Sequence, residues 1–201
     1  MDTAAGWSRC LTLAWESFCA RTTPVGAVVL APDGTIVAEG RGRRFEPPIA
    51  DRQLAHSRIA HAEINALAVL PPTRSYGDHV LLTTLEPCCM CLGAAIQSTI
   101  TSLHYAAPDP YGGSAHLAID TPQARRRPLS PYGPLHDERG AFAEQLHLVW
   151  LLDAAAPDAV LQPHRTVRPD AYAAAVRARS RLTDLRASHA PLPAAMDSRR
   201  T

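Results

Sequence analysis

Residues 61–67 read HAEINAL, and residues 85–94 read LEPCCMCLGA. His61 precedes Cys88 by 27 positions, and Cys91 follows Cys88 at a spacing of three. Residues three apart at the start of a helix lie on one side of it, so both sulfurs can reach one ion. With a nitrogen from His61 they make three protein ligands to zinc. The fourth tetrahedral position then stays open to water, which is typical of a catalytic site.

Glu63 follows His61 by two positions, and on a regular helix the two side chains point about 200° apart. They are therefore not expected to ligate the same ion. At the irregular first turn of a helix, however, a carboxylate can lie beside the bound water and act as general base and then general acid. Two other interpretations of Cys88 and Cys91 compete. A dithiol redox pair has no need of the His and Glu, and a structural zinc site needs a fourth ligand.

The elements around these motifs alternate between helices and short apolar strands. The periodicity predicts helices over Trp7–Ala20, His61–Leu70 and Pro87–Gln97, and strands over Gly26–Ala31, Thr35–Ala38, His79–Thr84 and Ile100–Tyr105. Such alternation favours an α/β fold. We expect a three-layer α/β/α sandwich around a mixed sheet of about five strands.

The character of the sequence changes in its last third. Residues 121–134 are rich in Pro and Arg and are predicted to be a linker. Helices are predicted over Ala141–Leu152 and Ala171–Arg186, and the final dozen residues are predicted to be a frayed tail. We therefore expect a catalytic domain over residues 1–124, and a linker, a helical extension and a tail over residues 125–201.

Charge is nearly balanced over the 201 residues, with 20 basic and 19 acidic side chains. Residues 1–124 hold 8 Arg and 11 acids, a net charge of −3, and residues 125–201 hold 12 Arg and 8 acids, a net charge of +4. A basic stripe of the kind that tight nucleic-acid binders carry is thus missing from the predicted catalytic domain. No apolar stretch approaches the ~18 residues that span a bilayer, and no secretory signal is recognisable. We expect a cytoplasmic protein without a membrane partner.

The H-x-E pattern followed by P-C-x-x-C is characteristic of zinc nucleobase deaminases. The chain resembles the cytidine deaminase-like superfamily and is most similar to the branch of tRNA adenosine deaminases and guanine deaminases. Besides the two motifs, the match includes the stretch 24–27 and the loop at Asp109-Pro110. It covers residues 5 to 120, which leaves the C-terminal part without a counterpart.

The resemblance implies a Zn²⁺ cofactor with three protein ligands: His61, Cys88 and Cys91. It implies that Glu63 is the catalytic proton shuttle. It also implies three residues that bind the base: Val25, Ala62 and Pro87. Members of this superfamily often complete a neighbour's pocket, so a homodimer is expected as well.

The function implied by the resemblance is hydrolytic removal of ammonia from a purine or related nucleobase or nucleoside. A tRNA wobble-adenosine deaminase is one alternative. The run Asn65-Ala66-Leu67 is similar to deoxycytidylate deaminases and keeps cytidine-type chemistry open as another. A catalytically retired accessory subunit is the non-enzyme alternative, against which the intact Glu63 argues.

One position departs from the superfamily. Many members place a substrate-binding Asn just after the second strand, where this chain has Gly42, Arg43 and Arg44. The two arginines are candidates to meet a phosphate or carboxylate, although a solvated loop is the competing interpretation. Three histidines are weaker candidates for the pocket or its surroundings: His56, His104 and His116. Cys89 is predicted to serve packing.

Overall fold

The structure is a computed structural model and describes residues 2–48, 52–117 and 121–197. Its helices are α1 (Ala4–Cys19), α2 (Ala62–Ala68), α3 (Cys89–Gln97), α4 (Pro122–Arg126), α5 (Glu138–Asp153), α6 (Asp158–Val167), α7 (Pro169–Ala187) and α8 (Leu192–Asp197). Its strands are β1 (Gly26–Leu30), β2 (Ile36–Arg41), β3 (Val80–Leu85), β4 (Ser102–Ala107) and β5 (Ser130–Tyr132).

The five strands form one mixed sheet in the order β2-β1-β3-β4-β5. β1 pairs antiparallel with β2 and with β3, whereas β3, β4 and β5 run parallel. Every residue of β1 is buried, as expected for an apolar strand that is covered on both faces. The prediction of a mixed five-stranded sheet is confirmed.

Helices cover both faces of the sheet. α1 and α5 contact each other and pack on one face, and α2 and α3 lie together on the other. This arrangement is the predicted three-layer α/β/α sandwich. α7 packs on the outer side of α5 and adds a further helical layer. Among the described residues, no helix combines the length and the apolar character that crossing a membrane requires.

Two glycines let helices approach the sheet closely. A Cβ on Gly26 would collide with the backbone of α1 at Cys10, and a Cβ on Gly40 would collide with the backbone of α2 at Ala62 and Ala66. Gly40 therefore lets α2 lie directly against β2. This contact fixes the start of α2, where the first of the two motifs stands.

The predicted linker over residues 121–134 is wrong. This segment contains α4 and β5, and β5 is an edge strand of the sheet that pairs with β4. β5 was missed because it has only three residues, SPY, too few for an alternating pattern. The C-terminal helical extension is present, but it also includes α6 and α8. The predicted frayed tail is wrong for residues 192–197, since α8 buries Ala195.

Candidate active site

The starts of two helices meet at the carboxyl end of β3. His61 is the N-cap residue of α2, and Cys88 is the N-cap residue of α3. Both have extended backbones, so each leads its chain directly into a helix. A helix N-terminus carries a partial positive charge, which favours the anionic thiolate of cysteine. Cys88 thus stands at a position where its thiolate form is stabilised.

The side chains of His61, Cys88 and Cys91 form a nearly equilateral triangle. Nδ1 of His61 lies 3.7 Å from Sγ of Cys88 and 3.6 Å from Sγ of Cys91, and the two sulfurs are 3.6 Å apart. Tetrahedral zinc, with Zn–S near 2.3 Å and Zn–N near 2.1 Å, requires donor separations of about 3.5–3.8 Å. The three residues therefore fit zinc, and one coordination position is left for water or substrate.

The two thiols differ strongly in acidity. The pKa of Cys88 falls to about 4, because the Cys91 thiol donates a hydrogen bond to its sulfur and His61 lies beside it. The pKa of Cys91 is raised well above its usual value, because that proton is shared with Cys88 and the sulfur is buried. The two opposite pKa shifts thus share one cause, the hydrogen bond between the two sulfurs.

Glu63 is buried, with 3% of its surface exposed. Its Oε1 accepts a hydrogen bond of 2.8 Å from the hydroxyl of Thr83 on β3. Its Oε2 lies 3.4 Å from Sγ of Cys91. Burial raises the pKa of this carboxyl, so it takes up a proton more readily than an exposed glutamate. A carboxyl that can hold a proton therefore lies at the edge of the ligand triangle.

His61, Glu63 and Cys88 line a cavity of about 640 Å³. Val25 and Ala62 form part of the wall next to His61, and Gly42 and Arg44 also line the cavity, at the position where the superfamily often has Asn. Another part of the wall comes from α5, α6 and the segment between them: His147, Trp150, Leu151, Ala154, Ala156, Pro157, Val160 and His164. The C-terminal helices thus shape the site directly.

Glu86, which was not among the predicted site residues, organises the loop after β4. One of its carboxylate oxygens accepts from the backbone N–H of Asp109 at 3.2 Å, and the other accepts from that of Ala115 at 3.1 Å. Gly113 packs against this carboxylate so closely that a Cβ would collide with it. The signal was available in the sequence, since Glu86 directly precedes the P-C-x-x-C motif.

Asn65 has a structural task that the sequence did not reveal. Its Oδ1 accepts from the backbone N–H of Leu54 at 2.7 Å, and its Nδ2 donates to the carbonyls of Arg41 and Leu54, each at 3.0 Å. The side chain is fully buried and ties the chain before α2 to the end of β2. In this chain Asn65 therefore anchors the loop that precedes α2.

Two further residues on the cavity wall were also missed. His147 and His164 are buried and lie with Asp109 in a cluster whose candidate ligand atoms are all within 4.8 Å of one another. Burial lowers the pKa of His147 to about 4 and also lowers the pKa of His164, although Asp109 opposes both shifts. No sequence pattern indicates this cluster, because its members are far apart in the chain.

Other predicted residues lie away from the cavity. Pro87 is buried but does not line it, and its carbonyl accepts from Ser114 N–H at 2.9 Å. Cys89 is exposed, so the prediction that it serves packing is wrong. Arg43 pairs with Glu46 at 3.1 Å. None of the three candidate histidines, His56, His104 and His116, lines the cavity.

An α/β/α sandwich around a mixed sheet, this ligand triangle and a buried glutamate together are characteristic of zinc-binding deaminases. The model of the family described as the cytidine and deoxycytidylate deaminase zinc-binding region matches residues 3–107. The chain belongs to this family.

Several known proteins are similar to this chain. A tRNA(Ile)-lysidine synthase of Deinococcus deserti is 39% identical over 116 residues, which are 57% of this chain and 20% of that protein. A guanine deaminase of Bacillus subtilis is 34% identical over 103 residues, which are 49% of this chain and 60% of that protein. The chain thus spans a fifth of the first relative's length and three fifths of the second's.

A solved structure is similar in fold as well. It comes from a study of A-to-I editing by tRNA:A34 deaminases at the wobble position of transfer RNA. The TM-score is 0.50 at 27% sequence identity, over 62% of this chain and 93% of that one.

Proposed function

We propose that this protein is a zinc-dependent hydrolytic deaminase that releases ammonia from a purine nucleobase or nucleoside. One observation supports the proposal most directly. A carboxylate oxygen of Glu63 lies 3.4 Å from Sγ of Cys91, which belongs to the ligand triangle. His61, Cys88 and Glu63 all line the cavity. This arrangement combines a metal site that is open on one side with a proton-carrying group at its edge.

In this proposal His61, Cys88 and Cys91 hold the ion, whose chemistry is the activation of water at neutral pH. Glu63 would take a proton from the attacking water and deliver it to the leaving nitrogen. Thr83 fixes Oε1 of Glu63, so Oε2 is the oxygen that faces the ligands. Because Glu63 is buried, bulk water has little access to the proton that it carries.

A small substrate with a flat base suits the cavity. Its volume of about 640 Å³ lies within the roughly 300–1,000 Å³ that is typical of small-molecule sites. It has room for a fused base together with a sugar. Val25 and Ala62 offer small apolar surfaces beside the ligands, against which a planar ring can lie. The similarity to a guanine deaminase supports a purine.

A tRNA wobble-adenosine deaminase is the second candidate. Two of the similar proteins act on tRNA according to their names, and Arg44 and Arg58 on the cavity wall could meet phosphates. The enclosing wall contributed by α5 and α6 favours the small substrate, because a folded polynucleotide needs more open access than a nucleoside does.

The test is ammonia release by the zinc-loaded protein across a panel of substrates. The panel holds guanine, guanosine, adenine, adenosine, cytosine, cytidine, deoxycytidylate and a tRNA anticodon stem-loop. Glu63→Gln is the blank, and Glu16→Gln, a substitution in a surface ion pair, is the matched control. We expect turnover of a purine by the wild type and by Glu16→Gln, and none by Glu63→Gln.

The other outcomes identify the alternatives. Turnover restricted to the stem-loop would replace the small substrate by tRNA, and turnover restricted to the pyrimidines would replace the purine by cytidine-type chemistry. A protein that binds zinc and turns over nothing in the panel would favour the accessory subunit. The homodimer and the cytoplasmic location stay predictions of the sequence.

A further inference from the structure

Asp109, His147 and His164 form a second cluster of metal-binding side chains. It lines the same cavity as His61 and Cys88 but shares no residue with the ligand triangle. Asp109 belongs to the loop after β4, His147 to α5 and His164 to the last turn of α6. One candidate ligand atom from each residue lies within 4.8 Å of the other two. Nε2 of His164 is 3.6 Å from Oδ1 of Asp109.

The two histidines of the cluster have buried nitrogens that make no hydrogen bond with any residue that the structure describes. These are Nδ1 of His147 and both ring nitrogens of His164. His147 is 7% exposed and His164 is 1% exposed. Buried polar atoms in folded proteins are almost always bonded to protein, water or an ion. Three bare nitrogens beside a carboxylate therefore indicate that the cluster binds something.

The surrounding contacts orient the carboxylate and define the donor set. Oδ1 of Asp109 accepts from the backbone N–H groups of Tyr111 and Gly112, each at 3.0 Å. Such contacts fix the orientation of a metal-binding carboxylate. Glu144, one turn before His147 on α5, is engaged by Arg168 at 2.8 and 2.9 Å. Asp109 is thus the carboxylate that faces the two histidines.

We propose that Asp109, His147 and His164 form a second metal site, which binds a divalent first-row transition metal ion. Two imidazoles and one carboxylate are a donor set for zinc, iron, cobalt or nickel, and not for magnesium or calcium, which prefer oxygen ligands. Tetrahedral donors about 2.0–2.2 Å from one ion lie about 3.3–3.6 Å apart, whereas the ligand atoms of this cluster lie within 4.8 Å of one another. Side-chain adjustments of less than about an ångström each therefore close this set around an ion.

The position of the second ion gives it access to a bound molecule. Its three ligands line the same cavity as His61 and Cys88, and three protein ligands leave coordination positions free. An oxygen of a molecule in the cavity can occupy such a position. The proposal does not depend on the proposed deaminase reaction, since metal binding by this cluster can be measured without a substrate.

Cobalt distinguishes the two sites, because only the triangle of His61, Cys88 and Cys91 has thiolate ligands. The full-length protein is freed of metal with a chelator, titrated with Co²⁺ and analysed for bound metal per chain. We expect two equivalents in the wild type. One produces the thiolate-to-cobalt charge-transfer band, and the other adds only visible ligand-field absorption.

Three variants show which of the two sites binds each equivalent of Co²⁺. Cys88→Ser should lose the charge-transfer band and keep the second equivalent. His164→Gln should keep the band and lose the second equivalent. Asp109→Asn retains the shape of the side chain, and it should weaken the second equivalent at least about tenfold while leaving the first unchanged. Circular dichroism and the melting temperature verify that each variant is folded.

Two results would overturn the proposal. The first is a wild type that binds a single equivalent of Co²⁺, with the charge-transfer band. The second is a pair of variants, His164→Gln and Asp109→Asn, that both still bind two equivalents. If Asp109→Asn changes only the KM of a deaminase substrate, the cluster is a substrate contact instead. A failed deaminase panel would leave these metal counts unaffected, so the two proposals fail independently.

Discussion

Oε2 of Glu63 lies 3.4 Å from Sγ of Cys91, although 28 positions separate the two residues. Glu63 stands in the first turn of α2 and Cys91 in the first turn of α3, and these helices lie together on one face of the sheet. Thr83 on β3 holds the other oxygen of Glu63. The register of two helices and one strand thus determines the distance between the carboxylate and the metal ligand.

Glu63→Gln should retain zinc and lose turnover. The amide keeps the shape of the side chain and can still interact with Thr83, but it cannot accept and return a proton. We expect turnover to fall by about 100-fold or more, the contribution typical of a general acid–base group. Metal analysis and ammonia release test this together. Unchanged turnover would remove Glu63 from the reaction, and lost zinc would assign it to the metal site.

Cys88→Ser and Cys89→Ser form a matched pair. They change adjacent residues in the same way, but Sγ of Cys88 is part of the triangle and Cys89 is exposed. We expect Cys88→Ser to lose tightly bound zinc in competition with a chromogenic chelator, and Cys89→Ser to keep it. Equal zinc affinity in the two variants would contradict the ligand set.

Gly113→Ala and Gly93→Ala test the loop after β4. A Cβ at residue 113 would collide with Glu86 and lie 2.6 Å from the carbonyl oxygen of Asp109, whereas a Cβ at residue 93 would meet no atom of the described residues within 4 Å. Gly93 lies in the interior of α3, where alanine is more favourable than glycine by about 0.5–1 kcal/mol. We expect thermal unfolding at a lower temperature for Gly113→Ala and at a slightly higher one for Gly93→Ala. The opposite order would show that the loop adjusts freely.

The metal-free protein should lose stability in mild acid. His147 is buried with a pKa of about 4, whereas an unfolded histidine titrates near 6.5. Asp109, Glu144 and His164 are the charged or titratable groups that act on it. The unfolded chain binds more protons between these pKa values, so the free energy of unfolding falls as the pH drops from about 6.5 to 4.

Urea unfolding at several pH values, with a chelator present, measures this effect. His147→Gln cannot titrate and should reduce the slope of stability against pH. His56→Gln, which alters an exposed histidine, should not change it. A slope that is identical in all three proteins would contradict the burial of a neutral imidazole at residue 147.

A chain that ends at residue 124 should not fold cooperatively. It lacks β5, which pairs with β4, and α5, whose Phe142 and Leu146 are fully buried. A chain that ends at residue 191 lacks α8 but keeps the bond from Nε1 of Trp15 to the carbonyl of Ala190, and it should melt cooperatively at a somewhat lower temperature. Circular dichroism melts of both chains test the division predicted at residue 124. A cooperative melt of the shorter chain would establish residues 1–124 as an independent domain.

Local sequence determined the main elements and the ligand triangle. The pattern of Gly26–Leu30 is readable as a buried strand because every residue of it is apolar or glycine. The spacing of Cys88 and Cys91 is readable as a metal pair because a helix turn brings them to one side. The roles of His61 and Glu63 can be predicted because both residues stand at the start of a predicted helix. In each case the information lies within a few neighbouring residues.

The edge of the sheet and the rest of the site were decided by tertiary structure alone. β5 is too short to be recognised by periodicity, and its pairing with β4 makes it a strand. His147 and His164 look like ordinary helix residues in the sequence, and only the packing of α5 and α6 turns them toward the cavity beside Asp109. Contacts between residues distant in the chain are set by how helices pack on the sheet. No local pattern in the chain encodes that packing.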